Sequence, residues 1–179
     1  MSRILVACVG NIFKSVDGFG VEVAARLAGT GLPSGVGLED FGIRSVHLAY
    51  ELMEGYDVLV LVDTVARQAG PPGTLYVIEP DLEALAAERL PGIPQGPVDA
   101  HDLPPGGVLS LLPDLGGSVD RVLVVGCRPE TLDDGIGLSP AVAAAVDPAA
   151  GLVLDVVGRE HRRLESRSDG GRECRQTPA

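Results

Sequence analysis

The chain predicts an α/β domain in which parallel strands lie between helical layers, and three observations carry that expectation. Uniformly apolar, β-branched runs alternate with segments of helical spacing. The runs Ile4–Val9 and Val58–Val62 contain no polar residue, so both faces of each strand must be covered. The 179 residues are enough for one such domain with a substantial core and too few for two.

The elements follow in order. Ile4–Val9 is a buried strand that stops at Gly10-Asn11. Residues 17–28 repeat apolar positions Val21, Ala24, Ala25, Leu27 and Ala28 at helical spacing and stop at Gly29 and Gly31. Val36–Phe41 is a weaker strand. Ser45 opens a second helix through Leu48, Leu52 and Met53, closed by Gly55. Val58–Val62 is the most strand-like segment and ends on Asp63. Another strand is expected over 74–78. Residues 80–105 carry six prolines, with a helical turn at 82–90, and read mainly as a long loop. A short helix is expected over 108–112, and a last buried strand at Val122–Val125. Ser139-Pro140 is an N-cap followed by proline at the first helical position. Asp147-Pro148 repeats the signal, so the closing helix is kinked or split. Residues 1–160 read as the domain, and residues 161–179, polar and rich in Arg and Gly, as a disordered tail.

Composition excludes several classes of function. Apolar residues make up 45% of the chain and the mean hydropathy is +0.24, so it folds. Aromatics are 3%, with no Trp, which leaves no stacking platform for single-stranded nucleic acid. The net charge is −11, and residues 1–158 alone carry 8 bases against 21 acids. Such a body repels phosphate backbones and anionic lipid, so neither nucleic acid nor a membrane is an expected partner. No apolar stretch is read as membrane-spanning or as a signal-peptide core. Cys8, Cys127 and Cys174 form no CxxC, which fits reduced thiols and a cytoplasmic protein.

In parallel sheets, ligands bind outside the carboxyl ends of the strands, so the residues just after the strands are the ones to examine. The loop Gly10-Asn11-Ile12-Phe13-Lys14-Ser15-Val16-Asp17-Gly18-Phe19-Gly20 lacks both the GxGxxG and the Walker A spacing, which disfavours a nucleotide-binding domain. Asp17 at the helix mouth would repel a phosphate; taken alone it reads as an N-terminal cap. Asp63 emerges at the carboxyl edge, either as a cap or as a site residue. His101, in Asp99-Ala100-His101-Asp102, has flanking carboxylates able to raise its basicity and orient its ring. His47 and His161 suit surface positions. Asp17, Asp63 and His101 together form a mixed oxygen and nitrogen set that suits nickel, zinc, manganese or iron without selecting among them. Cys127 is the one candidate nucleophile, and packing suits it better.

Five segments then stand in family order. They are Val9-Gly10-Asn11 through Asp17-Gly18-Phe19-Gly20, Val62-Asp63 with Pro72-Gly73-Thr74-Leu75, Ala100-His101-Asp102-Leu103, Gly126-Cys127-Arg128-Pro129-Glu130, and Leu138-Ser139-Pro140-Ala141-Val142. Over residues 3–157 the chain resembles the hydrogenase maturation proteases, endopeptidases that finish the large subunit of [NiFe] hydrogenases. The resemblance implies a single three-layer domain of phosphorylase/hydrolase-like type. Its twisted, mostly parallel sheet would have about five strands. It also implies a metal site of Asp17, Asp63 and His101, with Asp17 or Asp63 as base and the choice open. The metal would be nickel carried by the precursor, none being permanently bound; the enzyme would be a monomer that removes a C-terminal extension. A non-catalytic metal-binding assembly module on the same fold, or processing of another precursor, are the alternatives.

The chain departs from the family pattern at three positions. Val16 stands where a second acid is frequent, and Lys14 where an apolar residue is usual. Asp40-Phe41-Gly42-Ile43 replaces Asp-x-Gly-Thr and so loses a hydroxyl. The resemblance makes Asp40 and Gly42 substrate-binding, Gly42 by allowing close approach of a peptide and Asp40 by anchoring the loop. These departures bear on the substrate subgroup more than on the reaction.

Overall fold

The structure is a computed structural model that describes residues 3–10, 18–42, 44–66, 68–82, 117–130 and 137–173, with backbone alone at 45–46 and 169–173. Five strands are described: β1 (Ile4–Val9), β2 (Val36–Gly42), β3 (Tyr56–Thr64), β4 (Leu75–Ile78) and β5 (Val119–Cys127). The described helices are α1 (Phe19–Leu27), α2 (Ser45–Met53) and α3 (Pro140–Glu173). The sheet order is β2-β1-β3-β5-β4. All neighbours are parallel except β4, which runs antiparallel to β5. The helical turn expected at 82–90 (beyond Leu82) and the short helix at 108–112 lie outside the described residues.

Alternation along the apolar strands divides the core into two layers. Ile4, Val6 and Cys8 of β1, with Val58, Val60 and Val62 of β3, pack on α1 and α3. Leu5, Ala7 and Val9, with Leu59 and Leu61, face the other way and pack on Leu48, Ala49 and Leu52 of α2. The expected three layers are thus helix, sheet, helix. α1 and α2 leave the sheet on opposite faces, and the strand order changes direction between β1 and β3. The crevice of a doubly wound sheet opens at that point, outside the carboxyl ends.

A glycine holds α1 to that crevice. A Cβ on Gly20 would lie 2.1 Å from the Val9 carbonyl oxygen and 3.0 Å from that of Val62. No side chain fits there, so the first turn of α1 rests directly on the ends of β1 and β3.

The closing helix corrects two expectations. It neither splits at Pro148 nor ends at residue 160 but continues to Glu173, so residues 161–173 are helical and not a disordered tail. Tertiary contacts extend it. Glu160 is buried and meets Arg121 of β5 at 2.9 Å and Arg163 at 2.7 Å. Arg121 also binds Glu79 through two contacts of 2.8 and 2.7 Å, which lowers the Glu79 carboxyl below its ordinary range. Leu164 is buried, and His161 lies 3.3 Å from the Ser34 carbonyl oxygen instead of in a solvated tail. The start of α3 is as expected: the Val142 and Ala143 amides donate to the Ser139 hydroxyl and carbonyl oxygens at 3.4 and 2.8 Å.

The second correction concerns hydropathy. Between Ala141 and Gly158 only Asp147 and Asp155 are charged, and a stretch of α3 with hydropathy 1.7 is long and apolar enough to cross a membrane. Val142, Ala145, Val146, Ala149, Val153, Val156 and Val157 are buried against the domain, which makes α3 its core helix.

Two outcomes are expected. Gly20→Ala, which must push backbone apart, lowers stability by about 3 kcal/mol in denaturant titration. Ending the chain at Arg159 removes the Glu160 bridge and Leu164 and lowers the thermal midpoint by about 10 °C, whereas ending it at Glu165 shifts it little.

Candidate active site

The site is built at the carboxyl edge of the three central strands. Asp63 is the penultimate residue of β3 and pairs in register with Gly126 of β5. It has the parity of Leu59 and Leu61, which directs it to the α2 side of the sheet at the mouth of the crevice. The Thr64 amide donates to Asp63 Oδ1 at 2.7 Å, tying the carboxylate to its own backbone.

Asp40 reaches the same edge from β2, in register with Cys8, which is itself in register with Val62. Two strand spacings therefore separate the backbones at Asp40 and Asp63, roughly 10 Å. A register irregularity between Cys8 and Val9 then sets Val9 opposite Gly42. Asp40 Oδ1 accepts the Gly42 amide at 2.9 Å, and Gly42, at φ +52°, has its carbonyl bound by the Gly10 amide at 3.0 Å. Asp40 thus anchors a turn that only glycine adopts without strain. Arg44, which the sequence does not single out, closes the turn by donating to the carbonyls of Asp40 at 3.0 Å and Phe41 at 3.3 Å. No spacing rule marks such an arginine, because both its acceptors are backbone.

Asp17 and His101 lie outside the described residues, as do Lys14, Val16 and Ile43. The positions that bracket the first loop are described, however. Gly10 closes β1, and Gly18 immediately precedes α1. Both bracket positions sit at the edge that carries Asp63, because Gly20 rests on the ends of β1 and β3. Among the described residues, no group of three His, Cys, Asp or Glu side chains is placed to hold a metal ion.

The cysteines behave as core groups. Cys8 is fully buried, and burial together with the Asp40 carboxylate pushes its thiol up to about 12. Cys127 is also fully buried, and burial alone pushes it to about 11. A thiol that stays protonated at neutral pH is a poor nucleophile, so the packing role expected for Cys127 fits its surroundings.

The family model described as hydrogenase maturation protease matches residues 21–156. The hydrogenase 2 maturation protease of Escherichia coli K12 is 32% identical over 153 residues, covering 85% of this chain and 88% of that one. The solved structure of the hydrogenase maturating endopeptidase HybD from Escherichia coli superposes with a TM-score of 0.70 at 30% identity, over 88% of this chain and 93% of that one. A hydrogenase 2 maturation peptidase from Thaumarchaeota archaeon SCGC_AB-539-E09 superposes with a TM-score of 0.64 at 30% identity, over 88% of this chain and 99% of that one. With three quarters of its length matched by the model and its sheet shared with these endopeptidases, the chain belongs to the hydrogenase maturation protease family.

Proposed function

We propose that this endopeptidase removes the C-terminal extension of a [NiFe] hydrogenase large-subunit precursor in the cytoplasm, and that it does so only once nickel is in the precursor. One observation carries this reading: Asp63 stands at the point where the strand order reverses, with the first turn of α1 pressed against the neighbouring strand ends. A hard carboxylate at a crevice mouth is a suitable donor to a divalent ion presented by another protein. Asp17, one residue before the α1 cap, and His101 are the other two ligands in this reading, and all three meet the ion from the protease side.

The nickel is substrate, not cofactor. Three protein donors are too few to retain the ion, so the protease engages it only when the precursor supplies the remaining ligands. Precursor without nickel makes fewer contacts at the crevice, and its scissile bond is not held in place. Asp17 or Asp63 then acts as base toward the attacking water. Asp40 and Gly42 line the route of the extension, the glycine offering a backbone that a peptide can approach. Neither thiol takes part, since both are buried and protonated at neutral pH.

Asp63→Asn is expected to lower the cleavage rate at least ~100-fold while leaving the thermal midpoint within a few degrees. Intact mass of a nickel-loaded precursor, with unloaded precursor as the second arm, reads this out. Cleavage of both precursors at equal rates would overturn the nickel requirement. Treatment of the native enzyme with iodoacetamide at neutral pH is expected to leave Cys8 and Cys127 unmodified and the activity intact, checked by peptide mass mapping.

A further inference from the structure

The segment Gly126-Cys127-Arg128-Pro129-Glu130 stands out in the sequence yet has no part in the chemistry above. We propose that Arg128 is a positioning residue: its guanidinium clamps the loop that leaves Asp63 and so fixes the direction of the Asp63 carboxylate. The inference rests on the reading of Asp63 as a site residue.

The sheet holds the chain only a short way past Asp63. Asp63 and Thr64 pair with Gly126 and Cys127, and the Val65 amide donates to the Cys127 carbonyl at 2.9 Å. Gly126 leaves room for Val65 to fold back over the end of β5, since a Cβ there would lie 2.5 Å from Val65 Cγ1. Beyond that point Arg128 takes over. Its Nη1 donates to the Ala66 carbonyl at 3.0 Å and also to the Gln68 carbonyl. Its own backbone holds the returning chain: the Arg128 amide donates to the Thr74 carbonyl and its carbonyl accepts the Gly73 amide, each at 2.8 Å. One residue therefore joins the outgoing limb, the incoming limb and the end of β5.

The link to the carboxylate runs along the chain. Because Asp63 Oδ1 accepts the Thr64 amide, the tilt of the peptide plane between those residues sets the carboxylate direction. Thr64 and Val65, both held by Cys127, separate that plane from the Ala66 carbonyl where the grip of Arg128 begins. A charged donor shared by two carbonyls is stronger than a neutral one. Arg128 Nε is buried and has no partner among the described residues.

The test uses the full chain, a nickel-loaded large-subunit precursor and intact mass, with Asp63→Asn alongside. Arg128→Gln is expected to lower kcat roughly 10- to 100-fold while KM stays within about twofold, because the dispersed carboxylate affects the transition state and not docking. Arg128→Lys is expected to recover part of kcat. Backbone amide exchange of the free enzyme is expected to quicken over residues 65–74 and not in β1 or α3. An unchanged kcat, or a loss matched by KM and by faster exchange throughout, overturns the clamp. Should Arg128→Gln fail to fold, Arg128→Lys decides by the same readouts, and wild-type kcat and exchange overturn it. Full activity in Asp63→Asn sinks the site reading and the clamp with it. An inactive Asp63→Asn beside a fully active Arg128→Gln sinks the clamp alone.

Discussion

The close approach of Gly20 to the carbonyls of Val9 and Val62 governs the geometry of the catalytic edge. A helix that follows a parallel strand normally stands off the sheet by the thickness of its side chains. Here the first turn of α1 has none at the contact, so its backbone lies on the ends of β1 and β3. The N-terminus of α1 is thereby placed at the edge where Asp63 emerges, and a helix N-terminus favours negative charge nearby. A carboxylate-lined crevice and a helix start are thus compatible at one place, which a larger residue at position 20 would prevent.

The opposed packing of α1 and α2 turns this contact into a cleft. α1 and α3 cover one face and α2 the other, so the helices that follow β1 and β2 lie on opposite faces of the sheet. Asp40 and Arg44 stiffen the β2 loop through backbone acceptors, and the Gly10 amide links it to the end of β1. Arg128 does the corresponding work on the β3 side. The cleft is therefore bordered by turns tied to the sheet, while the ion it is proposed to meet arrives with another protein.

Much of this is legible in sequence because it follows from burial. The runs around Val6 and Val60 have no polar residue, which only a strand covered on both faces tolerates, and Asp63 is conspicuous as the first charge after such a run. The same logic fails where the determinant is a distant partner. Residues 161–173 look like a tail because Arg and Gly dominate them, yet Glu160 reaches Arg121 across 39 positions and the helix continues past it. The direction of β4 is equally hidden, since Leu75–Ile78 would read the same parallel or antiparallel. Arg44 escapes notice, and the contacts of Arg128 stay hidden inside its motif, because their acceptors are carbonyls, which every residue carries. Gly20 looks like an ordinary loop glycine until the two carbonyls beside it are placed.

A protease that waits for a metal faces opposing demands on its ligands. If they close around the ion, the enzyme strips it from the precursor; if they are loose, bound and unbound precursors differ too little to control cleavage. On the proposed reading, a ligand seated on a central strand and tied to the next residue's amide, as the Asp63 carboxylate is to Thr64, loses little freedom when the ion arrives. Its contribution to binding is then nearly all differential, present with the ion and absent without it. Rigidity at Asp63 combined with the proposed incomplete set of donors would satisfy both demands. It also explains why anchoring residues such as Asp40, Arg44 and Arg128 surround an edge whose direct chemistry needs so few side chains.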